Sequence, residues 1–253
     1  MFTSAIPSKN DIRIIRSLGQ KKFREELGLF IVEGEKMVGE ALAQKRFHVE
    51  AVYRLSDIGE DAMRRMSHLS SPSPAIAVLR IPDAESGRCA CAAAELPHGL
   101  CLGLDSVRDP GNVGTILRLA DWFGISTVYL SSDCVDLYNP KTVQATMGSI
   151  FRQKTVTCDL VQLSRHCHSA GIPVYATALE GGKDIRTTPL NTDRALIIMG
   201  SERDGVSPAL LNESDSRLYI PSFATDASAR AESLNVAIAT AIACYELRRR
   251  DIL

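Results

Sequence analysis

The chain has 253 residues, a length that fits one large or two ordinary domains and allows a sizeable core. Its hydrophobic content of 45%, charged content of 23% and net charge of −1 are typical of a soluble globular protein. No apolar run approaches the roughly 20 residues that span a bilayer, and no signal-peptide core opens the chain, so we expect a cytoplasmic protein without membrane contact.

The first 80 residues alternate between helical and extended patterns. Helices are predicted at 11–18 and 34–43, strands at 29–33, 48–55 and 76–80, and a loop at 70–74. Residues 1–24 carry a local net charge of +5. Such a segment either contacts nucleic-acid phosphates or forms a solvated helix face, and charge alone does not decide between the two.

A linker is predicted at 81–97, where prolines at 82 and 97 enclose an alanine-rich stretch. We place the boundary near residue 95, which gives domains 1–95 and 96–253. Short apolar runs predict strands of a buried parallel sheet at 100–104, 127–130, 155–158, 174–177, 195–199 and 217–220. Helices are predicted at 113–123, 141–149, 161–170 and 234–250. This alternation predicts an α/β fold with a mostly parallel sheet.

Cysteine usage bears on disulfides and metals. Seven cysteines at irregular spacing, without a Cys-x-x-Cys pair, argue against a disulfide framework and a zinc ribbon. The densest group of ligand-type side chains is His166, Cys167 and His168, and adjacent residues point in different directions on a helix or strand. We therefore predict no metal site.

Ligands of open α/β sheets bind at the carboxyl ends of strands, and three segments follow predicted strands. In the first, residues 104–118, Asn112 stands where a helix N-cap would and Gly114 indicates close approach to the backbone. Arg118 lies one turn further on the same face, where an ion pair with Asp121 or another acid is the structural alternative to a functional role.

The other two segments lie further along the chain. Residues 197–206 contain Gly200-Ser201-Glu202 and Gly205, for which an ordinary strand-to-helix turn capped by Ser201 is the alternative. The third runs from Ile220-Pro221 to Ser233-Leu234-Asn235-Val236. Ser233 is in position to cap the final helix, whose alanines would allow close packing within the chain or against a second subunit.

Together, in this order and spacing, the three segments resemble the three motifs of the SpoU/TrmH family of RNA ribose 2′-O-methyltransferases, in the SPOUT superfamily. The resemblance runs from about residue 100 to the C-terminus. Residues 30–34 and 73–78 are more weakly similar to the family's substrate-binding domain, a small α/β sandwich. The resemblance implies a deep trefoil knot in the C-terminal domain, S-adenosyl-L-methionine as cofactor, a homodimer packed through that domain, and an RNA substrate. The family contains both tRNA and rRNA modifiers, and the two-domain layout favours rRNA over tRNA.

The same resemblance implies site residues. Its catalytic set is Arg118, Asn112, Glu202, Ser233 and Asn235. Its cofactor-binding set is Gly200, Ile220 and Leu234, to which position at strand ends adds Thr177 and Met199. The family's arginine is proposed to deprotonate or orient the 2′-hydroxyl. We favour phosphate binding and stabilisation of the developing alkoxide for Arg118, because a guanidinium does not give up its proton in proteins.

One departure from the family pattern supports an alternative function. Eleven residues, 222–232, separate Ile-Pro from Ser-Leu-Asn and lack the glycine that usually stands there. This longer loop would border the cofactor pocket, which leaves open a catalytically silent RNA-binding or ribosome-assembly factor. Base methylation is disfavoured, because Arg118 and the Ser-Leu-Asn block belong to the ribose-methylating branch.

Overall fold

The computed structural model describes residues 6–82, 95–179, 181–224 and 231–250. Packing divides the chain into two compact units, one of Met1–Ala90 with Asp136–Arg152 and one of Cys91–Val135 with Gln153–Leu253. The predicted boundary near residue 95 adjoins residues 83–94, which lie outside the described residues, and the limits 1–95 and 96–253 stay a prediction. Asp136–Arg152 packs with the first unit although it falls inside the predicted second domain.

Helices and strands alternate along the described residues. The helices are α1 (Lys9–Ser17), α2 (Lys21–Leu27), α3 (Glu35–Ala43), α4 (Leu55–Met66), α5 (Pro110–Trp122), α6 (Pro140–Ala145), α7 (Leu160–Ser169), α8 (Pro208–Asn212) and α9 (Val236–Arg250), with a 3-10 helix at Ser149–Phe151. The strands are β1 (Leu29–Glu33), β2 (Val49–Arg54), β3 (Ala75–Arg80), β4 (Leu100–Asp105), β5 (Thr127–Leu130), β6 (Thr155–Thr157), β7 (Val174–Thr177), β8 (Lys183–Asp184), β9 (Ala195–Gly200) and β10 (Ser216–Tyr219).

The first unit is built on a three-stranded antiparallel sheet in the order β1-β3-β2. Successive side chains of a strand point to opposite faces, and both faces of this sheet are buried. Leu29 and Ile31 pack with residues of α1 and α4, whereas Phe30 and Val32 pack with residues of α3 and α6. The sheet therefore carries helices on both of its faces.

A buried ion pair anchors Asp136–Arg152 to the first unit. Arg24 is 2% exposed, and its Nε donates to Oδ2 of Asp136 at 2.9 Å. Its Nη1 donates to the carbonyl of Leu18 at 2.6 Å. Tyr138 and Phe151 from the same stretch are buried in the aromatic cluster around Phe30. Charge pairing and apolar burial thus hold Asp136–Arg152 within the first unit.

The second unit contains a seven-stranded sheet in the order β6-β5-β4-β9-β7-β10-β8, and its strand pairs are parallel. The predicted α/β class with a mostly parallel sheet is confirmed. The central strands β4 and β9 are fully buried, and their register places Asp105 opposite Gly200 at the carboxyl edge. Strand order does not by itself define threading, so the trefoil knot stays a prediction.

Several elements differ from those predicted. Four elements, α2, α4, α8 and β8, were not predicted from the sequence, because they are short or lack a clean apolar period. Helix α4 is interrupted at Gly59, whose φ of 79° takes the backbone out of the helical region. The helix predicted at 141–149 ends at Ala145, because Met147 and Gly148 have φ values of 50° and 97°.

Other features concern membranes, metals and thiols. Within the described ranges, no helix combines the length and apolarity needed to cross a bilayer. The same residues contain no group of three or more His, Cys, Asp or Glu that could hold a metal ion. The five described cysteines are free thiols, and Cys134 is the most accessible of them.

Replacing Arg24 with alanine is expected to lower the free energy of unfolding by about 3–5 kcal/mol, because Asp136 loses its cation in a largely buried setting. Urea unfolding followed by circular dichroism measures this change. The control is Arg64→Ala, which removes a pair with Glu60 whose side chains are each 65% exposed. The control is expected to cost less than about 1 kcal/mol. Equal losses in the two variants would contradict the role assigned to Arg24.

Candidate active site

A cavity of about 470 Å³ opens at the carboxyl ends of β7, β9 and β10. Its volume lies within the roughly 300–1,000 Å³ typical of small-molecule sites. The walls combine apolar side chains with backbone groups of the loop after β9 and the segment before α9. All five predicted cofactor residues line it, together with two of the predicted catalytic residues: Thr177, Met199, Gly200, Ile220, Leu234, Glu202 and Ser233.

Gly200 ends β9 where the chain folds back on itself. A Cβ at this position would lie 2.0 Å from the carbonyl carbon of Gly205 and 2.2 Å from the nitrogen of Val206. The return is closed by a hydrogen bond from the Gly205 nitrogen to the Ser201 carbonyl at 3.0 Å. Only a glycine at position 200 permits this approach, and it leaves backbone groups on the cavity wall.

Ser201 caps this tight loop and no helix, so the strand-to-helix turn with a Ser201 helix cap is wrong. Its Oγ accepts a hydrogen bond from the Asp204 nitrogen at 3.1 Å, and the following helix α8 begins only at Pro208. The loop is also bound to the end of the neighbouring strand β4. The buried carboxylate of Asp105 accepts from the Ser207 nitrogen at 2.7 Å.

Asp105 holds the loop after β9 in place, and this role was not predicted from the sequence. The signal is a carboxylate at the last position of a buried strand, directly before a turn. The role of Asp109 was also not predicted. Asp109 is the N-cap of α5, its Oδ1 accepts from the Asn112 nitrogen at 2.8 Å, and Pro110 fills the first helical turn.

The N-cap role considered for Asn112 is therefore wrong, and its side chain is free for contacts outside its own helix. The Nδ2 of Asn112 donates to Oε1 of Glu202 in the loop after β9. Its Oδ1 accepts from Nδ2 of Asn235 at 2.9 Å. Three predicted catalytic residues from three separate segments are thus joined in one hydrogen-bonded relay.

The direction of this relay is fixed by the start of α9. Oδ1 of Asn235 accepts from the backbone nitrogens of Ala237 at 3.0 Å and Ile238 at 3.3 Å. Asn235, and not Ser233 as predicted, therefore caps the final helix. Because its oxygen is engaged, Asn235 presents its NH2 to the Asn112 oxygen, and Asn112 must present its own NH2 to Glu202.

The far end of α9 is anchored as well. Nε of Arg248 donates to the carbonyl of Phe123 at 2.8 Å, and Nη1 of Arg250 donates to the carbonyl of Thr188 at 2.7 Å. Hydrogen bonds from Arg249 in particular lower the pKa of Glu246, which therefore stays ionised among these arginines. Helix α9 also packs along α5, and this holds Asn235 against Asn112.

Arg118 stands apart from the relay and from the cavity wall. It is exposed on α5 and forms no ion pair within the described part of the chain, so the predicted alternative pairing with Asp121 is wrong. Gly114 is buried one turn earlier. Ser233 lines the cavity mouth and is exposed. Of the longer loop 222–232, residues 225–230 lie outside the described residues.

Comparison with protein families covers both units. The family model described as SpoU rRNA Methylase matches residues 99–245. The model described as the MRM3-like substrate binding domain matches residues 9–78. The first match takes in every predicted site residue, and the second takes in the three-stranded sheet up to the middle of β3.

Curated relatives align over most of the chain. The 23S rRNA (guanosine(2553)-2′-O)-methyltransferase RlmP of Bacillus subtilis is 34% identical over 92% of this chain and 94% of its own length. The human mitochondrial rRNA methyltransferase 3 is 29% identical over 61% of this chain and 41% of its own length.

Solved structures agree over nearly the whole length. A TrmH-family protein from Porphyromonas gingivalis is 38% identical, with a TM-score of 0.83 over 97% of this chain and 99% of that one. An AdoMet-bound rRNA methyltransferase from Sinorhizobium meliloti is 28% identical, also with a TM-score of 0.83, over 98% of this chain and 99% of that one.

Replacing Gly200 with alanine is expected to displace the loop after β9 and to weaken S-adenosylmethionine binding at least about tenfold, measured by calorimetry. The matched control is Gly39→Ala in α3, where a Cβ would meet nothing within 4 Å. The control is expected to bind normally and to be more stable by about 0.5–1 kcal/mol. Normal cofactor binding by the Gly200 variant would show that the loop does not form the cofactor wall.

Proposed function

We propose that this chain, which belongs to the SpoU rRNA methylase family, methylates a ribose 2′-hydroxyl of ribosomal RNA. The chain is an S-adenosylmethionine-dependent RNA 2′-O-ribose methyltransferase, and the predicted family, enzyme class and cofactor are confirmed. The ribosomal substrate is the further step. It rests on the rRNA named in the relatives and on the match of residues 9–78 to the MRM3-like substrate binding domain.

One observation carries the assignment of the site. The relay from Asn235 through Asn112 to Glu202 meets the cavity at Glu202 and at the segment before α9. Polar groups with a fixed orientation therefore border the space in which a small molecule fits. A catalytically silent RNA-binding factor would have no need of such a relay beside a cofactor cavity, and its support was only the longer loop.

The cavity suits the cofactor in its volume and in the apolar and backbone groups of its wall. Gly200 exposes backbone groups, while Met199, Ile220 and Leu234 supply apolar walls for an adenosine. S-adenosylmethionine supplies a methyl group already activated by the positive charge on its sulfur. Two acids, Glu202 and Asp204, and two bases, Arg203 and Arg217, line the cavity, so their formal charges balance. We assign cofactor binding to Gly200 and the three apolar residues, together with Thr177.

The catalytic work assigned to the protein is orientation and electrostatics. Asn112 and Asn235 have fixed amide directions, so they hold the reacting groups in line without a reorganisation cost at the moment of transfer. Arg118 is exposed and has no ion pair with described residues, which leaves it available for an RNA phosphate. Its charge then favours the alkoxide that forms as the 2′-hydroxyl loses its proton. Ser233 borders the entrance and completes the assigned set.

We also propose a homodimer in the cytoplasm, packed through the second unit. Helices α5 and α9 pack together and leave large apolar side chains exposed, among them Trp122 at 83%, Ile238 at 54% and Tyr245 at 62%. Exposed apolar groups on adjacent helices are typical of a subunit interface. The alanines of α9 allow a second helix to approach closely.

The proposed substrate is tested with tritiated S-adenosylmethionine and total RNA from a strain that lacks this protein, followed by size fractionation. We expect label in ribosomal RNA, recovered after digestion as a 2′-O-methyl nucleoside. Label in the tRNA fraction would overturn the proposed substrate and leave the enzyme class intact. An assembly intermediate of the ribosome is included as a second RNA source, so that a substrate needing that state is not missed.

In the same assay, Arg118→Ala is expected to lower methyl transfer more than tenfold while S-adenosylmethionine binding is unchanged. The reason is that Arg118 is exposed and does not line the cofactor cavity, so its loss removes the proposed phosphate contact and leaves the cofactor site unchanged. Arg165→Ala serves as the control, because Arg165 is an exposed arginine on α7 that is paired with Glu213 at the end of α8. Transfer within tenfold of the unmodified protein would show that Arg118 has no catalytic role.

Asn235 has two roles that substitutions can separate. Asn235→Asp keeps the cap oxygen but loses the donor to Asn112, so we expect stability within about 0.5 kcal/mol of the unmodified protein. Asn235→Ala loses both and is expected to cost about 1 kcal/mol. Both variants are expected to lose methyl transfer to a similar extent. Full activity in the aspartate variant would mean that the relay does not orient Asn112.

A further inference from the structure

An exposed aromatic ring lies at the same sheet edge as the cavity. Phe223 is 79% exposed and follows Ile220, a wall residue, by three positions at the carboxyl end of β10. The guanidinium carbon of Arg186 lies 5.2 Å from the centroid of the Phe223 ring. Arg186 follows β8, the neighbour of β10 in the sheet. The two residues form a cation–aromatic pair, with most of the ring surface left to solvent.

The pair is built on a fixed frame. Nε of Arg186 donates to Oδ1 of Asp184 at 3.0 Å and Nη2 donates to Oδ2 at 2.6 Å. These hydrogen bonds hold the pKa of the Asp184 carboxyl below its usual range. The two chain segments are joined by a hydrogen bond from the Ile185 nitrogen to the Tyr219 carbonyl at 3.0 Å. Within the second segment, the Ser222 nitrogen donates to the Tyr219 hydroxyl at 3.2 Å.

Two further basic side chains lie on the strands that lead into this pair, in addition to Arg186, whose own charge is paired with Asp184. Lys183 on β8 and Arg217 on β10 are exposed, and neither forms an ion pair with a residue in the described ranges. Arg217 also lines the cavity. Single exposed apolar side chains are common on protein surfaces. Phe223 differs from such side chains in three respects. Arg186 is held against its ring, and the strands β8 and β10 carry two exposed cations without an ion pair to a described residue. The cofactor cavity lies at the same edge of the sheet.

This combination matches the requirements of single-stranded RNA recognition. Unpaired bases stack on aromatic side chains and guanidinium planes, while basic side chains follow the phosphates. Sequence-specific RNA recognition mostly targets single-stranded loops and bulges, whose bases are already out of the regular stack. Such an unstacked base needs a new surface.

We propose that Phe223, supported by Arg186, is a stacking platform for an unpaired nucleobase of the RNA substrate, beside the ribose that is methylated. Lys183 and Arg217 contact the adjoining phosphates. The inference rests on the proposed function in that it requires an RNA substrate at the cavity. It assigns the Phe223–Arg186 pair to recognition of RNA and not to binding of the cofactor.

Two measurements test the platform. The first is kcat/KM for methyl transfer to ribosomal RNA from a strain that lacks the protein. The second is the fluorescence of a single-stranded oligoribonucleotide that contains 2-aminopurine, which is quenched when that base stacks. Phe223→Leu keeps an apolar side chain without a ring, and Phe223→Trp keeps a stacking surface. Calorimetry with S-adenosylmethionine checks that each variant is folded and binds cofactor.

We expect Phe223→Leu to lower kcat/KM at least about fivefold, the lower end of what one base–aromatic stack contributes, and to abolish quenching. Phe223→Trp should stay within about twofold. Arg186→Gln should resemble the leucine variant, while Arg165→Gln, which breaks a similar exposed ion pair on α7, should have no effect.

The possible outcomes distinguish a failure of the stacking platform from a failure of the proposed function. A leucine variant that methylates within twofold of the unmodified protein and still quenches 2-aminopurine overturns the platform and leaves the proposed function standing. Absence of methyl transfer to ribosomal RNA by the unmodified protein overturns the proposed function. Loss in the leucine variant with recovery in the tryptophan variant, at unchanged cofactor affinity, supports the platform.

Discussion

The close return of the chain onto Gly200 is the constraint on which the candidate active site depends. Backbone atoms of Gly205 and Val206 occupy the space where any other residue at position 200 would carry its Cβ. Because β9 lies at the centre of the parallel sheet, this return places Glu202 at the carboxyl edge, beside the strands that supply Thr177 and Ile220. The buried carboxylate of Asp105 supports the loop from the neighbouring strand. Because these contacts fix the loop after β9, the polar side chain of Glu202 keeps its direction without a bound ligand.

In the relay of amides, helix capping sets the hydrogen-bond geometry of the candidate site. Asp109 satisfies the first turn of α5, and this frees Asn112 from capping its own helix. Asn235 satisfies the first turn of α9 with its oxygen and passes its NH2 group on to Asn112. Each amide therefore has one orientation that satisfies all of its partners, and Glu202 receives the last donor. Ordinary capping thus fixes the direction of hydrogen bonds at the cavity mouth.

Each unit buries the apolar faces of its own sheet in a different way. The first unit buries both faces of a three-stranded sheet, and it does so partly with Asp136–Arg152, a stretch that lies between elements of the second unit in sequence. The Arg24–Asp136 pair needs that stretch, since a buried arginine requires a nearby carboxylate. The second unit buries its central strands on both faces, as parallel sheets do, and leaves its polar loops at one edge.

The sequence by itself determined the fold class, the positions of the main strands along the chain, and most residues of the candidate site. Apolar runs report burial directly, and the three motifs carry residue types at spacings that few other folds need. The tertiary structure decided what spacing cannot express. It assigned the caps to Asp109 and Asn235 in place of Asn112 and Ser233, because a cap depends on where a helix starts within one residue. It also brought Asp105, Arg186 and Phe223 to the sheet edge, since strand order, and not sequence distance, determines which strand ends are neighbours.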